Sequence, residues 1–267
     1  MTRKKNVIAV MSPKGGVGKT VTTANLAAAL SIIFDKKILA VDTNVSTASL
    51  GFHFDVFYPE YTIHDVLEKG AIEKSIFVYH ENLHIIPASI KIRKKDRNLK
   101  VMRENLHKAI ENYEEILEGL SKKYDLILLD CSPGFDLETI AAMHVAGGLI
   151  IVTNPDYPSI VTAARLIEYA KEIKMPVGGI ILNKVRGKKY ELRKDDIENA
   201  LKVKIIGEIP YDKRIPESIA KKKPVVLYKT NSKASKAYKK LAASLIGKKY
   251  PVSWLKRFLT MRKKTKK

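Results

Sequence analysis

The sequence predicts an α/β fold: a mostly parallel, twisted central sheet flanked by helices, followed by a short basic amphipathic helix. Three observations predict it. Short apolar runs alternate with stretches at helical spacing, the order of βαβ units. The runs are continuously apolar, as in strands covered on both faces. The first run passes through a glycine-rich turn into an apolar, Ala-rich segment.

The elements follow in order. Asn6–Met11 is the first strand and Val21–Ile33 the first helix. Ile38–Val41 is a strand ending at Asp42, and Leu83–Pro87 another. Leu99–Leu120 has helical spacing. Leu126–Leu129 ends at Asp130, and Leu149–Val152 at Thr153. Ile160–Ile173 is helical, Val177–Leu182 ends at Asn183, and Ile205–Ile209 ends at Pro210. Ligands of parallel sheets bind at the carboxyl ends of strands. Lys14–Thr20, Asp42, Asp130, Asn183 and Asp212 all fall there, on one rim. No internal repeat or Gly/Ser linker interrupts the chain, which divides into one domain, residues 1–249, and a tail, residues 250–267.

Composition narrows the class. The chain has 267 residues, 45% of them hydrophobic, enough for one sizeable core. Cys131 is the single cysteine, which excludes an internal disulfide and a cysteine zinc site. The six histidines do not pair at metal-ligand spacing. No segment has signal-peptide organisation and no apolar run is long enough to span a bilayer, so a cytoplasmic location is expected. The net charge is +21, and residues 218–267 carry 17 Lys or Arg with no Asp or Glu. Residues 91–103 form a second basic cluster. Such blocks bind anionic polymers or membrane surfaces, or are simply solvated faces.

Residues 12–20 read Ser-Pro-Lys-Gly-Gly-Val-Gly-Lys-Thr. A glycine-rich turn between strand and helix points backbone N–H groups inward as a nest for phosphates. In that nest Lys19 reaches the β- and γ-phosphates and Thr20 offers its hydroxyl to Mg²⁺. The first glycine of the general pattern is replaced by Pro13, and a second lysine, Lys14, stands at the entrance. Asp42 and Asp130, at strand ends, can hold Mg²⁺ or its water, or can cap a turn. Asn183 can read a purine edge with its amide, or serve as a turn residue. Ser132-Pro133-Gly134 lacks the flanks of a nucleophile elbow, and Cys131 fits a small packed residue.

The run Lys14-Gly15-Gly16-Val17-Gly18-Lys19-Thr20 resembles the deviant phosphate loop of the MinD/ParA ATPases. Asp130-Cys131-Ser132-Pro133-Gly134 is similar to that family's second signature. Ile209-Pro210-Tyr211-Asp212, Pro216-Glu217-Ser218, Lys223-Pro224-Val225-Val226 and Ser232–Tyr238 resemble its C-terminal half. The resemblance covers residues 5–249 and is closest to MinD-like proteins of archaea, and the tail resembles the MinD branch in particular. It implies a Mg²⁺-dependent ATPase whose two subunits close around two ATP molecules. Lys14 then reaches the partner's nucleotide, as an arginine finger would. Lys19, Thr20 and Asp130 serve phosphate and Mg²⁺, and Gly15 to Val21 cradle the phosphates. Asn183 and Pro210–Asp212 surround adenine.

Two departures stand out. The family's Asp-x-Asp is here Asp42-Thr43-Asn44, and Asn44 can orient a water but cannot take its proton. Slow hydrolysis is therefore expected, dependent on a stimulating partner or a membrane. Val21 replaces a second threonine, which predicts a small loss of affinity.

In the tail, Pro251 separates a new segment that Ser253 can cap. Trp254, Leu255, Phe258, Leu259 and Met261 fall on one helical face, with Lys256, Arg257, Arg262 and Lys263 around the other. This is the pattern of a helix lying in the bilayer interface, and MinD proteins end in a similar one. Packing on the domain and binding nucleic acid, as ParA relatives do, are the other readings. The leading expectation is a homodimer formed on ATP binding and attached peripherally to the inner face of the cell membrane. It would position a division site, surface structure or other cargo with an unidentified activating or cargo protein. The alternatives are a partition ATPase riding on DNA, and a nucleotide-gated regulator or scaffold with incidental hydrolysis.

Overall fold

The computed structural model describes residues 4–44, 48–89 and 106–250. The basic cluster at 91–103 and the tail from 251 lie outside the described residues.

Eight strands form one sheet: β1 (Lys4–Met11), β2 (Ile38–Asp42), β3 (Phe77–His80), β4 (Leu83–Ile86), β5 (Leu126–Asp130), β6 (Ala146–Thr153), β7 (Val177–Val185) and β8 (Ile205–Pro210). Their order is β3-β4-β2-β5-β1-β6-β7-β8. Every pairing is parallel except β3 with β4. The chain leaves β1 toward β2 on one side and later fills the other side with β6 to β8. The end of β1 is thus where strand order reverses, and a crevice opens at such a point.

Two layers of helices bury the two faces. On one face lie α2 (Ile63–Lys69), α4 (Leu106–Ser121), α5 (Leu137–Val145), α6 (Tyr157–Glu172) and α7 (Lys194–Leu201). On the other lie α1 (Lys19–Ala28), α9 (Val225–Tyr228) and α10 (Lys233–Leu245). The short helices α3 (Ile72–Ser75) and α8 (Arg214–Ala220) complete the set. Double coverage explains the uninterrupted apolar runs of β2 and β5, which are almost wholly buried. Helix starts obey side-chain chemistry: Asp136, Asp156 and Ser232 accept from the N–H groups of Thr139, Ser159 and Ser235.

α1 is different. Its N-cap is Gly18, in the left-handed region, and no acidic residue stands in its first turn. The positive end of its dipole is left for an external anion. Eight of its ten residues are buried, so this helix is fixed in the core behind the loop. It ends in a π turn, Ala29–Ile33.

Two elements differ from the sequence reading. β3 was not expected; it is an edge strand whose Phe77 and Val78 are exposed, so it lacks a buried apolar run. β7 does not stop before Asn183 but continues to Val185, through a shift in its pairing register with β8.

Candidate functional site

The crevice at the end of β1 has a volume of about 720 Å³ and is lined by the phosphate loop, Thr20, Val21, Asn44, Ser49, Lys184, Tyr211 and Ile215 among others. A smaller extension of about 90 Å³ runs beside Gly18, Val21, Asn183, Pro210, Tyr211, Asp212 and Pro216.

The loop's conformation follows from its glycines. Gly16 and Gly18 have φ of +76° and +96°, values glycine adopts freely. A Cβ on Gly18 would lie 2.1 Å from Asn183 Nδ2, so only glycine fits. When N–H groups face inward, carbonyls face outward and need donors. Each of three consecutive carbonyls has one. Lys184 Nζ donates to Gly16 O at 2.7 Å, and Asn183 Nδ2 to Val17 O at 2.7 Å. Thr22 donates its N–H and hydroxyl to Gly18 O. Across the sheet, the Gly134 N–H donates to Ser12 O, tying the second signature to the loop's start.

Lys19 and Asp130 are each other's partners: Nζ lies 2.8 Å from Oδ1 with both side chains buried. Thr23 Oγ1 donates to the same oxygen at 3.1 Å. Asp130 Oδ2 is buried with no hydrogen-bond partner among the described residues. The lysine expected on phosphate and the aspartate expected at Mg²⁺ thus form one ion pair, which uses one carboxylate oxygen and leaves Oδ2 and further ammonium donors uncommitted.

Asp42 is fully buried. Its Oδ1 accepts from the Asn44 N–H, and its Oδ2 from those of Ser49 and Leu50. Burial, and then the charge of Asp130, push its pKa up to about 7, against the pull of the Leu50 and Ser49 N–H groups and Lys19. Thr20 Oγ1 and Ser49 Oγ are 3.2 Å apart at the cleft wall. Lys14 is exposed and makes no hydrogen bond or ion pair among the described residues.

The base-side residues fall as follows. Asn183 uses its Nδ2 on the loop, and its buried Oδ1 has no partner among the described residues. Asp212 gives both carboxylate oxygens to backbone N–H groups, of Arg214 and Ala234, so it shapes the pocket and anchors α8 against α10. Pro210 lines the pocket, and the Arg186 guanidinium stacks on the Tyr211 ring at 3.8 Å. Cys131 is buried, and burial pushes its thiol up to about 12, as a packed residue requires. Trp254, Leu255, Lys256, Arg257, Phe258 and Leu259 lie outside the described residues.

The sequence reading did not single out Ser49 or Lys184 as site residues. Ser49 lies in a turn without a motif. Lys184 carried one signal, its place beside Asn183.

These features fit a nucleotide triphosphate with Mg²⁺. A helix N-terminus, an array of loop N–H groups and a lysine meet the phosphates. Mg²⁺ takes one or two protein oxygens and completes its shell with water and phosphate. Thr20 and the orphaned Asp130 oxygen suit that. Fold and site together define a P-loop nucleotide-binding domain.

The comparisons specify it further. A family model described as an AAA domain matches residues 5–180. An uncharacterised ATP-binding protein of Methanocaldococcus jannaschii (MJ0169) is 32% identical over 90% of this chain and 88% of its own length. The septum site-determining protein MinD of Synechocystis is 30% identical over 92% of this chain and 91% of its own. The structure of Pyrococcus horikoshii MinD complexed with Mg-ADP has a TM-score of 0.79, at 32% identity, covering 92% of this chain and 96% of that one. The chain belongs to the MinD/ParA family of P-loop ATPases.

Proposed function

We propose that this protein is an ATP-driven switch of the MinD type. ATP binding closes two copies face to face, the dimer attaches peripherally to an anionic membrane through residues 250–267, and slow hydrolysis releases it. The observation that carries this reading is the contrast between two lysines of one loop: Lys19 is buried on Asp130, while Lys14 stands exposed next to Gly15, which lines the cleft. An exposed cation beside a phosphate site suits action in trans on a second subunit's γ-phosphate.

Bound ATP·Mg²⁺ supplies an activated phosphoryl group and a counter-charge for it. This chain's residues do the rest. The N–H groups of Gly15 to Val21 would orient the phosphates, Lys19 would pair with their oxygens, and Thr20, Asp42 and Asp130 would hold the metal and its waters. Asn44, buried at the cleft wall, orients the attacking water. Asn183 and Pro210–Asp212 flank adenine. No described helix is long and apolar enough to cross a membrane. In this reading attachment is by residues 250–267, whose sequence is basic and amphipathic. One short helix binds weakly; two on a dimer bind far better through effective concentration. The role is spatial positioning, with an unidentified activating or cargo protein.

A second reading has the dimer ride on DNA. The exposed loop Arg186 to Lys189, with Tyr190 75% exposed beside it, favours that reading. Pelleting with phosphatidylglycerol vesicles and filter binding to duplex DNA, each with and without ATP, separate the two. The membrane reading expects vesicle binding that requires ATP and is lost in Lys14→Ala and on deletion of residues 250–267. Vesicle binding that survives the deletion, or DNA binding alone, would refute it.

A further inference from the structure

The end of β7 leaves regular strand geometry at Lys184. Its φ is +57°, a left-handed conformation that a lysine adopts only at a cost. The pairing of β7 with β8 shifts register between Leu182 and Val185, the residues on either side of Asn183-Lys184. The Tyr211 N–H closes the irregularity on Val185 O. Bulges beside sites re-aim side chains. Here the result is specific: consecutive side chains, Asn183 and Lys184, reach the consecutive carbonyls Val17 O and Gly16 O, both at 2.7 Å.

Without these donors the buried Val17 O would lose its partner, and the exposed Gly16 O would have only exchanging water, so the peptide units that aim N–H groups into the cleft would no longer be held in one orientation. Gly18 O is held by α1 itself through Thr22, and Val17 O by a buried amide. Gly16 and Gly15 are exposed, and a Cβ on either would meet nothing within 4 Å, so local packing does not fix them. Lys184 Nζ is the donor described for Gly16 O.

We infer that Lys184 is a positioning residue: by holding Gly16 O it fixes the front of the phosphate loop in its binding conformation before nucleotide arrives. The local backbone strain and the register shift are the structural features that deliver its side chain there. This assignment rests on the ATP-binding reading above.

The test compares wild type with Lys184→Met, Lys184→Arg and Lys184→Gly, each checked for folding by thermal unfolding. In nucleotide-free protein, amide hydrogen exchange across residues 15–19 reads the loop directly. Binding of a fluorescent ATP analogue and steady-state kinetics read the consequence. Lys184→Met is expected to speed exchange and weaken binding about 5–10-fold, the worth of one such hydrogen bond, with kcat changed less than about twofold. Lys184→Arg should restore most of both. Lys184→Gly should bind as weakly as Lys184→Met although it relieves the strained φ, which separates the side chain from the backbone. Wild-type exchange and affinity in Lys184→Met would overturn the assignment and leave the ATP-binding reading standing. A fall in kcat at unchanged KM would overturn it too, since that marks contact with the reacting phosphate. Failure of wild type to bind ATP would sink both.

Discussion

Replacing Lys19 by Met tests how the site balances its charges. Lys19 is 6% exposed and Asp130 fully buried, so their 2.8 Å contact is a buried ion pair. Met keeps most of the side chain's length and apolar stem and removes the cation. Asp130 would retain only the hydroxyl of Thr23 on Oδ1, with Oδ2 still without a partner among the described residues. Asp42, buried close enough for the two charges to interact, would face it with no cation between. Breaking a buried pair from one side costs about 3–5 kcal/mol, against about 5–15 kcal/mol of total stability for a typical protein. The loss should depend on pH. Asp42 already has its pKa pushed up to about 7, so its folded form holds a proton that the unfolded chain has released. Its contribution is therefore present at low pH and lost as pH rises toward and through 7. Without Lys19 the two carboxylates repel more, so the penalty should be larger at pH 8.5 than at pH 6. Lys19→Met/Asp130→Asn removes charge from both sides and should recover at least about 2 kcal/mol of the loss. Urea unfolding followed by circular dichroism, without nucleotide or Mg²⁺, measures all three proteins. A single-mutant loss below about 1 kcal/mol, or a double mutant less stable than the single, would refute the reasoning.

Two further predictions concern the cleft. Gly18→Ala places a Cβ 2.1 Å from the Asn183 amide at φ +96°, and should cost about 2–4 kcal/mol and abolish measurable nucleotide binding; Gly15→Ala, which meets nothing within 4 Å, should stay within about 0.5 kcal/mol of wild type. Denaturant unfolding and calorimetric ATP titration check both. Asn44→Asp supplies a carboxylate at the cleft wall, and should raise the ATP turnover rate at least about tenfold while lowering stability, because the new charge is buried beside Asp42. Unchanged turnover in that variant means Asn44 is not what limits hydrolysis.

Much of the fold was legible because doubly covered strands leave a plain mark: Ile38–Val41 and Leu126–Leu129 have no polar residue until the carboxylate that ends them. The same rule hid β3, whose outward Phe77 and Val78 belong to an edge. The loop was legible because its chemistry is local, set by spacing within nine residues. The shared rim of the distant strand ends was legible too; what escaped was which side chains pair across it. Lys19 and Asp130 are 111 residues apart, and nothing in either run says they pair. Thr20 meets Ser49 across a turn that carries no motif. Asn183 was open between reading a base and making a turn; the structure gives its amide nitrogen a third task, 166 residues away on Val17 O.

The carboxylates of the site explain why binding and turnover can part company. Asp42 accepts three backbone N–H groups, and Asp130 holds Lys19. Among the described residues lining the main cleft there is no carboxylate at all, and Asn44, which lines it, cannot accept a proton as a carboxylate would. The phosphate loop, by contrast, has its outward carbonyls already satisfied, so its donors need little rearrangement to meet an anion. On the proposed ATPase reading, a site built this way favours the bound state over the chemical step. In the proposed cycle that is useful: a dimer must persist to find a surface, and its lifetime is set by how slowly the nucleotide is consumed. In that cycle the second lysine, exposed beside the cleft-lining Gly15, is the proposed point of control, because its charge would act when another subunit brings a nucleotide to it.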